Sequence, residues 1–160
     1  MRISILAIGQ AKSAPEQALC DDYLRRLKHQ GRGIGLTDST CKLLPEAKRG
    51  SARQRKSDES DRLSAQVPVR AMRIVLSERG KQLTSEAFAE HIRRMLEQGE
   101  SDLCFLIGGA DGHAEELERD AGLLLSLGAM TWPHRLVRVM LLEQIYRAVT
   151  IIANHPYHRA

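Results

Sequence analysis

Long apolar runs are missing from this 160-residue chain, and no segment approaches the length needed to cross a bilayer. The opening MRISILAIGQ has an apolar stretch too short for a secretory leader, and no small-residue cleavage site follows it. Cysteine is sparse. Cys20, Cys41 and Cys104 are odd in number, widely spaced and never in a CxxC pair. That pattern argues against a disulfide framework or a zinc site and favours a reducing cytoplasm. Internal repeats and interdomain linkers are also lacking, so residues 1–160 read as one domain. At this length about two-thirds of the unfolded surface should be buried, enough for an independent core. Nor is the charge strongly of one sign. Lys and Arg number 24 against 20 Asp and Glu, a formal net charge of +4 that mildly favours an anionic partner.

Several catalytic signatures are absent as well. No GxSxG marks a nucleophile elbow. The glycines of FLIGGADG (residues 105–112) follow a late strand in a GGxxG spacing, not the GxGxxG of a dinucleotide fold. After the last of them come His113 and Ala114, where a phosphate-binding P-loop needs lysine and a hydroxyl residue. His113 and Glu115 mimic the HxE of zinc deaminases, but no PCxxC follows. His155 and His158 have no third ligand nearby, so no metal site is expected.

What is present reads as alternating strands and helices. Residues 2–8 form an apolar, β-branched strand. SAPE (residues 13–16) has capping-box spacing with Pro15 in the first turn, and Leu19, Tyr23, Leu24 and Leu27 mark a helix reaching about Lys28. Ile34 and Leu36 suggest a short strand in a glycine-rich setting. Residues 46–66 are highly charged and read as a loop running into a solvent-facing helix. Lys48, Arg49, Arg53, Arg55 and Lys56 crowd its first half. A strand is expected at 72–76. A helix capped by Thr84 or Ser85 follows, burying Phe88, Ile92, Met95 and Leu96 and ending at Gly99. An apolar strand leads into Gly108 and Gly109, a short helix covers about 114–120, and GLLLSLGAM holds another short strand. TWPH is a turn before a long helix at 136–152. Strands apolar on both faces point to a parallel-rich sheet flanked by helices, an α/β fold.

The last helix is apolar nearly all round, apart from a stripe of Glu143, Arg147 and Thr150. Such a helix needs burial on two sides, and a second subunit is the expected cover for one of them. Arg138 falls opposite the polar stripe and calls for an anion or an interface. The chain then closes on NHPYHRA, a tail unusually rich in functional groups. Two glycine-lined loops, His134, Arg138 and this tail are the candidate functional groups. They suit a reaction that depends on positioning more than on a protein nucleophile.

Taken together, LIGGADG, LSLGAMTWPHRLVRVMLLEQIYRA and the closing NHPYHR resemble the ribosomal RNA large subunit methyltransferase H family, small members of the SPOUT superfamily. The resemblance spans the chain and is most specific over residues 106–159. It implies a parallel-rich α/β sheet with a C-terminal trefoil knot, a homodimer, and transfer of a methyl group from S-adenosyl-L-methionine to N3 of a pseudouridine. The implied target is a 23S rRNA stem-loop at the subunit interface of the assembled ribosome. No membrane and no metal are implied. Carried over by position, the cofactor site comprises Leu76, Gly108, Leu127, Gly128, Ala129, Met130, Thr131 and Trp132. Three positions depart from the usual pattern: Ser77 stands where an acid is common, Gly128 where serine is common, and Trp132 where a smaller aliphatic residue is usual. The expected catalytic and RNA-facing groups are His134, Arg138, Tyr157, His158 and Arg159. Tyr157 would stack on a base and Arg159 would hold phosphate. His158 or His134 would assist deprotonation. The competing reading is a non-catalytic, ribosome-associated RNA-binding module using the same basic loop and tail.

Overall fold

A computed structural model describes residues 1–9 and 15–158. Ser13 and Ala14 of the expected capping box, and Arg159 of the tail, lie outside the described residues. Five strands form one sheet: β1 (Arg2–Ile8), β2 (Asp38–Leu44), β3 (Met72–Gln82), β4 (Asp102–Ile107) and β5 (Leu123–Ser126). Their order is β2-β1-β4-β3-β5, and every neighbouring pair is parallel. The helices are α1 (Pro15–Gly31), α2 (Ala52–Ser64), α3 (Ser85–Glu97), α4 (Glu115–Arg119) and α5 (His134–Ile152).

Because side chains alternate along a strand, the apolar runs serve both faces of the sheet. Ile3, Ile5, Ala7, Ile74, Leu103, Phe105 and Ile107 face a deep core with α1, α3 and α5. Leu6, Ile8, Val75, Cys104 and Leu106 face a thinner layer completed by Leu63 of α2 and Leu117 of α4. On the thick side Phe88 of α3 meets Phe105 of β4 edge-on, ring centroids 6.1 Å apart. The α3 expectations hold: Thr84 Oγ1 accepts from Ala87 N at 3.1 Å, and Gly99 closes the helix at φ +75°. Phe88, Ile92 and Met95 are buried, while Leu96 is half-buried.

Several expectations need correction. Ile34 does not enter a strand. Residues Arg32–Ile34 make one 3-10 turn, and the strand begins later, at Asp38. Glycines on either side of the turn carry the chain from α1 into β2, with Gly35 at φ +89°. The strand expected at 72–76 continues to Gln82 after a break in register between Leu76 and Lys81 on β5. On α1 the buried positions are Cys20 and Leu27, whereas Leu19 is 50% exposed. α2 is not simply solvent-facing, since Glu59, Ser60 and Leu63 are buried.

α5 is the longest of the described helices. It packs against both α1 and α3 over the sheet, so its own chain buries Leu141, Leu142, Ile145, Ala148 and Val149. Thr150, expected on the polar stripe, is fully buried and donates to the Arg147 carbonyl at 2.7 Å. The Glu143–Arg147 pair forms as expected, at 2.5 Å. Arg138 is 2% exposed, and its Nη1 donates to Gln17 Oε1 on α1 at 3.2 Å. No described helix is long and apolar enough to cross a membrane.

Candidate functional site

The carboxyl ends of β3, β4 and β5 open into one cleft of about 1360 Å³. A crevice at this edge of a parallel sheet is where α/β folds place ligands, because the loops leaving the strands diverge there. The volume exceeds the ~300–1,000 Å³ usual for a small-molecule pocket. It therefore leaves room for an acceptor group beside a bound small molecule.

Four segments build the walls. The first is the middle of β3, residues 77–79, where the pairing with β5 shifts register after Leu76. Gly80 there runs so close to β5 that an added Cβ would stand 2.5 Å from the Leu125 carbonyl carbon. No side chain fits without moving backbone. The second segment is residues 107–114 after β4, where Gly112 N donates to the Gly109 carbonyl at 3.0 Å. The third is residues 125–134. Gly128 is held at φ +132°, a conformation that side-chain-bearing residues rarely adopt. Ser126 fixes that turn: its Oγ donates to the Gly128 carbonyl at 2.9 Å and accepts from Gly128 N at 3.3 Å. The fourth is the start of α2, with Ala52, Arg53, Lys56 and Ser57.

α2 is the support for the glycine loop. Arg55 Nε donates to Asp111 Oδ2 at 2.7 Å, and that guanidinium holds the Asp111 carboxyl below its usual range. Ser60 Oγ accepts from Ala114 N at 3.0 Å. The Glu59 carboxylate accepts from Ala47 N at 2.8 Å and lies against Gly109. One helix thus ties residues 45–47 to residues 109–114. Ser51 and Gln54 secure its start through a reciprocal capping box.

His113 lies at the base of the cleft and is 4% exposed. Neither ring nitrogen has a hydrogen-bond partner in good geometry among the described residues. Burial depresses its pKa to about 4, against a smaller opposing effect from Glu118. The imidazole is therefore neutral at physiological pH. The rim beside it is acidic, with Glu115, Glu116 and Glu118, the last paired to Arg79 at 2.5 Å.

Of the cofactor residues expected from sequence, Leu76, Gly108, Leu127, Gly128, Met130, Thr131 and Trp132 line this cleft. Ala129 belongs to the same loop without lining it. Met130 and Trp132 are 69% and 40% exposed, an unusual display of apolar surface at a cleft mouth. His134 also lines the cleft. Its Nε2 lies 3.8 Å from Glu46 Oε1, and the ring packs against Gly9.

Arg138, Tyr157 and His158 do not line this cleft. Tyr157 folds back onto α5, where its ring meets Tyr146 at 4.8 Å and its hydroxyl donates to Glu143 Oε1 at 3.2 Å. Arg147 stands 5.1 Å from the Tyr157 ring centroid. Burial, with help from neighbouring Tyr23 and Glu143, pushes the Tyr157 phenol pKa upward. His158 Nε2 pairs with Glu86 Oε1 of α3 at 3.0 Å. Glu143 is nine residues along α5 from His134, roughly 13 Å of helix axis. Among the described residues no group of three His, Cys, Asp or Glu side chains is placed to hold a metal ion.

Sequence reasoning missed the buried pair Glu59 and Ser60, the Arg55–Asp111 bridge and the contact of His134 with Glu46. Polar residues recurring on one side of a charged helix gave no apolar period to mark a buried face. Their partners lie 12 to 56 residues away along the chain, beyond the reach of any local pattern.

The family described as "Predicted SPOUT methyltransferase" matches residues 1–158. Full-length relatives named ribosomal RNA large subunit methyltransferase H include those of Hyphomonas neptunium, 47% identical, and Mesorhizobium japonicum, 46% identical, each match covering 100% of both chains. The relative from Bradyrhizobium diazoefficiens is 43% identical, again over 100% of both chains. A solved methylase family protein from Neisseria gonorrhoeae shares the fold, with TM-score 0.52 and 12% identity over 99% of this chain and 88% of that one.

Proposed function

The chain belongs to the SPOUT methyltransferase family, and on that premise we propose that it methylates N3 of a pseudouridine in large-subunit ribosomal RNA. The methyl donor is S-adenosyl-L-methionine, the working form is a homodimer, and the site of action is the assembled ribosome in the cytoplasm. The relatives' name points to the RNA. The observation that carries the reading is the cleft itself. Apolar walls from Leu76, Leu125, Leu127 and Val137 combine with backbone polar groups on glycine-rich loops. That donor set fits a cofactor with a flat base and an aliphatic sulfonium arm, and no lysine or metal centre is required of the protein. The family's trefoil knot belongs to the same proposal. The strand order, with β5 outermost beside β3, is compatible with it.

When bound, the cofactor supplies an already activated methyl group. The protein's task is then placement, exclusion of water and removal of one proton. Leu127 through Trp132, with Leu76 and Gly108, hold the donor. The apolar Trp132 and Met130 at the mouth exclude water from it, which strengthens electrostatic interactions inside. The acceptor base, unstacked from its loop, enters the remaining volume on the far side of the methyl. In this reading His134, which lines the cleft, takes the N3 proton, and Glu46 beside it steadies the imidazolium that results. Most of the rate comes from fixing two reactants in line.

The tail acts across the dimer in this reading. Tyr157, His158 and Arg159 serve the partner's cleft, since Tyr157 and His158 do not line their own. Leu19 on α1 and Leu136 on α5, which are 50% and 39% exposed on two helices that pack together, offer the apolar surface for that contact. Methyl transfer to ribosomes lacking the modification, with free rRNA as comparison, tests the function. Incorporation at the pseudouridine N3 of ribosomes is the expected result. Absence of transfer with bound cofactor would overturn it.

A further inference from the structure

The start of α2 and the loop before it present a basic surface that the cofactor reading leaves unused. We propose that Lys48, Arg49, Arg53 and Lys56 form a docking ridge for the phosphodiester backbone of the RNA substrate, seating the nucleotides that flank the target over the cleft mouth. This rests on the RNA-methylation reading and adds to it the surface that orients the RNA.

The first support is the pairing of the cations. Many arginines on the other helices are neutralised within the chain: Arg25 and Arg26 by Asp22, Arg94 by Glu90, Arg147 by Glu143. Arg135 and Arg138 of α5 are exceptions, and Arg138 is buried. Even Arg55, in the middle of the basic cluster, is taken by Asp111. None of the four ridge cations has a carboxylate within 4.0 Å among the described residues. Lys48, Arg49 and Arg53 are exposed and Lys56 is half-buried. Unpaired cations clustered within nine residues raise the local positive potential, whereas i, i+4 ion pairs cancel it.

The second support is position. Arg53 and Lys56 are three residues apart on one helix face, and both line the cleft. Glu115 and Glu116 also line the cleft and present the opposite sign. A polyanion is drawn to the cations of α2 and repelled by these carboxylates, which restricts its approach. The third support is rigidity. α2 is fixed to the glycine loop by Arg55–Asp111 and Ser60–Ala114, at 2.7 and 3.0 Å. A phosphate held by Arg53 or Lys56 is thereby referenced to the loop that lines the cofactor cleft. Four cations on a flexible tail would bind RNA without orienting it.

Each phosphate neutralised by Lys or Arg releases condensed counterions, so affinity falls with salt by a slope of roughly 0.7–0.9 per contact. The test is binding of the full-length protein to large-subunit RNA in ribosomes lacking the modification, measured from low to high salt. The quadruple variant Lys48→Ala, Arg49→Ala, Arg53→Ala, Lys56→Ala is expected to lower the log–log slope by about 3. Arg53→Ala with Lys56→Ala alone is expected to lower it by about 1.5. Affinity for S-adenosyl-L-methionine and the melting temperature should stay at wild-type values. Arg93→Ala with Arg94→Ala, paired arginines on α3, serves as the control and should leave the slope unchanged. An unchanged slope in the quadruple variant would overturn the ridge. So would an equal loss of cofactor affinity in the Arg53 and Lys56 variant, because these cations would then be holding the cofactor carboxylate. Binding is read apart from turnover. A wild-type protein that binds ribosomes with this slope but transfers no methyl would sink the functional reading and leave the ridge standing.

Discussion

The cleft is assembled from backbone and apolar walls on four separate segments, whereas the tail is one contiguous run in which Tyr157 and His158 already meet Glu143 and Glu86 of the same chain. Both were conspicuous in the sequence, for different reasons. Glycines after a strand signal room for a ligand, and that signal depends only on where the strand ends. A dense run of Tyr, His and Arg signals chemistry but says nothing about which surface it reaches. The difference is one of form: backbone defines the cleft, and side chains define the tail.

Breaking the tail should have the largest effect. Removal of residues 155–160 is expected to reduce methyl transfer to ribosomes by about 100-fold or more, since misplacing one positioning group costs on that order. The truncated protein should remain folded by circular dichroism and keep its wild-type elution volume in gel filtration. A wild-type rate in the truncated protein would mean that the cleft suffices and the tail is structural.

His113 tests the floor of the cleft. Its folded pKa of about 4 lies below the ordinary value of 6.5, so the unfolded chain takes up the proton first. The neutral native imidazole therefore contributes full stability above about pH 6.5. That contribution is lost as pH falls toward 4, in total about 3 kcal/mol. His113→Leu should remove this part of the stability–pH slope in urea titrations between pH 7 and 4. An identical slope in the variant and the wild type would exclude His113 as its source.

Gly80→Ala probes the cleft wall. A Cβ 2.5 Å from the Leu125 carbonyl carbon must displace β5 or β3. A destabilisation of about 1–3 kcal/mol is expected from such overpacking. Weaker binding of S-adenosyl-L-methionine should accompany it in calorimetry. Normal cofactor affinity would show that this stretch of β3 is not part of the binding wall.

The smallest effect sharpens the comparison most. Tyr157→Phe keeps the ring against Tyr146 and removes only the hydroxyl on Glu143. Stability should fall by about 0.5–1.5 kcal/mol, the worth of one hydrogen bond. Base stacking needs only the ring, so turnover should persist in Tyr157→Phe and fail in Tyr157→Ala. Equal turnover in the two variants would remove the aromatic ring from the reaction.

Much of the fold was legible before any coordinates. The apolar runs at residues 2–8 and 102–107, the Thr84 cap and the Gly99 stop all encode local geometry, and a parallel α/β sheet follows from them. The strand expected at Ile34 failed because a short apolar pair between glycines suits a 3-10 turn equally well. The cover of α5 was legible only in part. An all-round apolar helix announces that it is buried but not by what, and α1 and α3 supply most of that burial.

The sequence by itself determined the alternation of elements and the glycine-lined strand ends, because each is written in local spacing, and its motifs carried the resemblance to the family. Only the tertiary structure decided that α2 buries Glu59 and Ser60 against the glycine loop, that His113 lies neutral beneath the cleft, and that Tyr157 docks on α5. Each of these joins residues far apart in the chain through one or two polar contacts. Such contacts leave no period in the sequence, and their energies exist only once the hydrophobic layers have brought the segments together.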